Sequence, residues 1–157
     1  MSKENASKAE KAIKRIRNAG IAGCVLAFLT GIQFAFPSAG FSPATIISAI
    51  LHASREGNHM ADFSLLGLSP FILFNLLSII IVAGLTIGVY KKNELGSILL
   101  FIYGSFTLVA ALPTAIGFFG IPTIIIGVIL FFLFFGMIGT FDYHHLKNKE
   151  ARTSTST

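Results

Sequence analysis

The sequence predicts an all-α integral membrane protein, a bundle of four transmembrane helices with both termini on the cytoplasmic side. Three observations predict it. Residues 18–54, 63–90 and 95–141 contain no Asp, Glu, Lys or Arg. Hydrophobic residues make up 54% of the 157-residue chain and charged residues only 12%, against ~25% charged in an ordinary globular domain. A soluble core of this size cannot hide so much Phe, Ile and Leu, whereas a bilayer shelters apolar side chains without protein cover. Finally, eleven of the twelve Lys and Arg residues fall in three segments that four spans place on one side, the positive-inside pattern. An odd number of spans would put the two basic termini on opposite faces.

Residues 1–18 form a basic amphipathic segment. Ser7-Lys-Ala-Glu10 fits a capping box, so a helix is expected to start near Ser7. Ala9, Ala12, Ile13 and Ile16 then recur at helical spacing, with Lys11, Lys14, Arg15 and Arg17 among them. Such a helix either lies on an anionic leaflet or leads, solvated, into the first span. The expected membrane-surface contacts are Lys11, Lys14, Arg15, Arg17, Lys91 and Lys92. The net charge of +5 does not indicate nucleic acid, because the cations sit at chain ends and in a short connection rather than along one folded face.

The membrane domain covers residues 19–145. Its first span is residues 19–36, stopped by Pro37. Ser38-Ala39-Gly40 offers small residues for signal-peptide cleavage, but the apolar stretch is long for that, so a retained signal anchor is expected. Residues 37–67 make a sizeable outer loop, within which residues 44–53 are read as a short interfacial helix with Ile46, Ile47, Ile50 and Leu51 on one side. The second span is residues 70–89, with Ser69 as N-cap and Pro70 in the first turn. At ~1.5 Å per residue those 20 residues reach roughly 30 Å, the hydrocarbon thickness. Tyr90-Lys-Lys-Asn-Glu94 is read as a tight cytoplasmic turn. The 47 uncharged residues that follow are too many for one span of ~20. Pro113, Gly117, Gly120 and Pro122 divide them into spans at 96–112 and 122–141. Residues 146–157 are read as a disordered polar tail.

Lipid gives helices little hydrophobic reason to associate, so small residues that permit close approach matter most. Ala19, Gly23, Ala27 and Gly31 recur every four residues in the first span. Gly84 and Gly88 form a GxxxG pair in the second, and Gly136 and Thr140 repeat the spacing in the fourth. These eight are the expected helix-packing residues, within one bundle or along a homo-oligomer seam. The polar residues of the spans, among them Gln33, Asn75, Ser78, Thr86, Tyr103, Ser105 and Thr107, carry no charge. Ion-coupled transporters usually place ionisable groups at membrane depth. Cys24, alone in its span, is a small packing residue.

In the outer loop, His52, Glu56, His59 and Asp62 are metal-ligand types, but Gly57-Asn58 interrupts the helix that would present them. No metal site, cofactor or catalytic residue is expected. The chain has no phosphate-binding glycine loop, HExxH or nucleophile elbow.

Gly88-Val-Tyr-Lys-Lys92 and Gly139-Thr-Phe-Asp-Tyr-His144 resemble segments of a group of small bacterial four-transmembrane-helix proteins. The basic lead at residues 14–23 adds to that resemblance, which leaves the long outer loop aside. It implies a four-helix membrane fold and no particular activity. The expectation is thus a multi-pass protein of the cell membrane (the inner membrane in a Gram-negative cell). Its role would be structural or accessory and non-enzymatic. Its partners would be the lipid bilayer and either a further copy of itself or a larger membrane complex. A small oligomeric transporter or channel is the alternative.

Overall fold

The computed structural model describes residues 3–33, 70–115 and 120–154, and these are almost entirely helical. Helix α1 is Lys3–Ile32, α2 Pro70–Tyr90, α3 Glu94–Ala115 and α4 Ile121–Ser154. Each packs on its sequence neighbour among the four, and α4 returns to α1, closing a ring of antiparallel helices. All four are long and apolar enough to cross a membrane. The stretch read as an outer loop, 37–67, with the short helix expected at 44–53 and with His52, Glu56, His59 and Asp62, lies outside the described residues.

Three boundaries differ from the sequence reading. The first helix starts at Lys3, not near Ser7. Lys3, Glu4, Ala6, Lys8 and Ala9 are good helix formers, so Ser7 is carried inside the helix at small cost rather than capping it. The basic segment and the first span are consequently one continuous rod. The last helix likewise runs on to Ser154, through the stretch read as a disordered tail. Lys147, Lys149, Glu150, Ala151 and Arg152 extend a helix that is already nucleated, and each added residue then contributes a hydrogen bond. Helix α3 also passes through Pro113 before ending.

The connection between α2 and α3 is as short as helix chemistry allows. Lys92 takes a left-handed conformation, φ 59°. Its N–H donates to the Val89 carbonyl at 2.8 Å, and the Asn93 N–H donates to the Gly88 carbonyl at 3.0 Å. This is a Schellman C-cap formed without glycine. The Asn93 side chain then caps the next helix, its Oδ1 accepting from the Leu95 N–H at 3.0 Å and the Gly96 N–H at 3.4 Å. One residue thus closes α2 and opens α3.

The centre of the ring is Ile16, Ala19, Leu26, Val82, Val89, Leu100, Ile129 and Leu133, all buried. The outside is apolar too. Every helix turns a large hydrophobic side chain fully outward: Phe28 is 68% exposed, Ile80 60%, Phe106 63% and Ile124 64%. A monomeric soluble protein rarely presents so much contiguous apolar surface.

Candidate functional site

The ring topology gathers the start of α1, the α2–α3 turn and the end of α4 at one end of the bundle. Eleven of the twelve Lys and Arg residues belong to these segments. Side-chain contacts tie the three together. Arg15 on α1 donates to Asp142 on α4, Nη1 to Oδ2 at 3.1 Å, and its guanidinium lies 5.7 Å from the centre of the Phe135 ring. The Lys92 ammonium sits 4.0 Å over the Tyr143 ring. His144 Nε2 meets the Lys92 carbonyl at 2.7 Å, which gives the left-handed turn a side-chain support from α4. Slightly deeper, the Ser97 and Thr140 hydroxyls meet at 3.0 Å between α3 and α4. The two stretches that carry the resemblance, Gly88–Lys92 and Gly139–His144, therefore lie against each other. No family, curated protein or solved structure matches the chain.

The closest helix contacts fall at this same end. A Cβ on Gly136 would collide with the Cβ of Ala19, and one on Gly139 would come within 2.9 Å of the Ala12 carbonyl oxygen. Between α2 and α3, a Cβ on Gly96 would stand 3.1 Å from the Gly88 Cα. Gly23 faces Thr86, where an added Cβ would meet Oγ1 at 2.5 Å. Ala27 is half-buried against the core, and Thr140 is fully buried. Gly31 and Gly84 behave differently, with open space among the described residues where a Cβ would go.

Gly20, Gly96 and Gly139 also meet neighbouring helices, although none of them belongs to the every-fourth-residue pattern of small residues. A helix has 3.6 residues per turn, so a contact face drifts between spacings of three and four. Gly136 and Gly139 show the former. The surface cations divide as well. Lys11, Lys14, Arg17 and Lys91 are exposed, whereas Arg15 and Lys92 are engaged as described.

Most hydroxyls within the bundle are held by their own helices. Thr30, Thr86, Ser105, Thr107 and Thr140 each donate to the carbonyl four residues back, at 2.7–3.0 Å. Gln33 and Asn75 are fully buried near the other end. The buried Tyr103 hydroxyl has no hydrogen-bond partner among the described residues. Cys24, expected as a packing residue, is instead exposed on the outer side of α1. Among the described residues no three His, Cys, Asp or Glu side chains converge where they would hold a metal ion.

Proposed function

We propose that this chain is a multi-pass cell-membrane protein with both termini cytoplasmic and a non-enzymatic structural or accessory role, exercised through helix association. The observation that carries the reading is the distribution of side-chain size. Ala19, Gly88, Gly96 and Gly136 lie at the helix contacts, and Phe28, Ile80, Phe106 and Ile124 point away from the bundle. Water drives large apolar groups inward. Lipid does not, and leaves helices to associate through close backbone approach and short hydroxyls. The gathering of cations at one end favours that end as the cytoplasmic one. Leu26, Val82, Leu100 and Ile126 are fully buried between the helices, and the buried hydroxyls of Thr30, Thr86, Thr107 and Thr140 are each engaged by a carbonyl of their own helix, which favours an accessory role over transport.

Two measurements test the reading. The full chain should stay with membranes through a carbonate wash, and a tag after Thr157 should be protected from externally added protease. Purification in mild detergent should then bring down a stoichiometric membrane partner or a further copy of the chain. Isolation as a lone monomer that makes liposomes permeable to small solutes would overturn the accessory role.

A further inference from the structure

A groove of about 540 Å³ runs along the outside of the α1–α4 pair, walled by Ile21 and Val25 from α1 and by Val128 and Phe132 from α4. A second hollow of about 210 Å³ shares Asn18 and Phe132 with it and adds Arg15 and Phe135. Together they follow one stripe of α1. Lys11, Arg15, Asn18, Ala22 and Val25 recur at alternating spacings of four and three, so they lie one above the next along a helix face. Along that stripe the chemistry changes from cationic, through an amide, to purely apolar. Its direction is that of a phospholipid, with a charged head at the basic end and a hydrocarbon tail toward the bundle's middle.

Length and charge select the occupant. From Arg15 to Val25 the stripe covers about 15 Å at ~1.5 Å per residue, half of the ~30 Å hydrocarbon layer. A spanning helix of another protein needs the whole thickness, whereas one lipid tail needs a single leaflet. Arg15 uses one donor on Asp142, and the pair is open to solvent, 40% and 51% exposed. The guanidinium has donors to spare for a phosphate. Asp142 opposes an anion there and Glu10 lies one turn from Lys14, but Lys11, Lys14 and Arg15 outnumber the two.

We propose that this groove seats one acyl chain of an anionic phospholipid, with its phosphate held at Arg15 and Asn18. The proposal rests on the chain spanning a membrane, as inferred above.

The test is native mass spectrometry of the full chain in mild detergent, mixed with equal amounts of phosphatidylglycerol and phosphatidylcholine of identical tails. Phosphatidylglycerol should be retained over phosphatidylcholine by about fivefold or more, the effect expected of one well-placed cation. Arg15→Gln should abolish the preference. Arg17→Gln, which removes the same charge from a different face of α1, should keep it. Val128→Trp, at a wall residue that is 53% exposed, fills the groove without changing charge and should displace the lipid. It decides the matter even if Arg15→Gln does not fold. No preference in the unaltered chain overturns the proposal, as does a preference that survives Val128→Trp or is lost equally in Arg17→Gln. Carbonate washing of the same membranes separates the two failures. A chain that stays membrane-bound without lipid preference sinks the groove alone, while a chain washed free sinks the membrane reading beneath it.

Discussion

Adding a single methyl group at Gly136 should report directly on how α1 and α4 are held. The new Cβ would overlap the Cβ of Ala19, and behind that atom stand the Ala19 Cα at 3.4 Å and the Arg15 carbonyl oxygen at 3.5 Å. All three belong to helix backbone or to its first side-chain atom, so no flexible tip can swing aside. The helices must part or slide, and overpacking of that kind costs about 1–3 kcal/mol. Against it stands the gain from replacing Gly by Ala inside a helix, about 1 kcal/mol. Gly136→Ala should therefore be destabilising by about 1 kcal/mol, opposite in sign to what helix propensity alone dictates.

The reciprocal change supplies the control. Ala19→Gly removes the obstructing methyl and should cost about 1–2 kcal/mol through lost propensity and lost packing. With both changes, the methyl has only moved across the contact, and the nearest atoms to the new Cβ are then at 3.4 and 3.5 Å, ordinary van der Waals distances. Stability should return to within about 0.5 kcal/mol of the original, which makes the coupling between the two sites about 2 kcal/mol. The assay is reversible unfolding by SDS in mixed micelles, followed by helical circular dichroism. If Gly136→Ala stabilises the chain and the two changes simply add, the helices do not cross at this point and the packing argument fails.

Three further changes test other contacts in the same assay. Asn93→Ala removes the side chain that caps α3 and should cost about 1 kcal/mol, most of it recovered by Asn93→Asp. Thr140→Val breaks the buried contact with Ser97 and should cost about 0.6 kcal/mol, the mean for a hydrogen bond between membrane helices. Once Thr140 is Val, Ser97→Ala should add little. Gly84→Ala enters open space and should stabilise the single bundle by up to about 1 kcal/mol through helix propensity. A loss of stability together with a loss of chemically cross-linked dimer would show instead that a second copy packs against α2.

Much of this architecture was legible in the sequence because bilayer-compatible helices leave a coarse record. A charge-free tract bounded by Lys91 and Lys92 needs no knowledge of its neighbours to be read as a helix end. Pro113 and Pro122 bracket the α3–α4 connection in the same local way, although α3 runs through the first. Helix packing is a relation between distant residues, and it was legible only in part. Gly136 carried the right spacing, and nothing near it in sequence names Ala19 as what it meets. Gly84 carried equally good spacing and faces open space, because a GxxxG pair shows that a face is flat without showing whether another helix lies on it. The helix ends at Lys3 and Ser154 were missed for another reason. Polar residues with high helix propensity look the same in a free tail as in the last turns of a helix, and the difference lies in the nucleated helix they extend.

The tight contact and the groove lie on the same helix pair, α1 and α4. At Ala19 and Gly136 the side chains at the contact are as small as they can be, while farther along the same two helices the buried side chains are larger, Leu26 on α1 and Ile129 and Leu133 on α4. The hollow beside Val25 and Val128 lies along this pair, on the side of the larger residues, and Arg15 at its basic end has its Cβ against Gly139. A methyl at 136 should then disturb more than stability. By pushing the helices apart at the crossing it shifts Arg15 relative to the apolar walls, so Gly136→Ala should lower phosphatidylglycerol retention in the fraction that remains folded. Ala19→Gly in the same chain should restore retention and stability together. Recovery of stability with no recovery of lipid preference would break this link, leaving the groove a feature of side-chain shape rather than of how the helices cross.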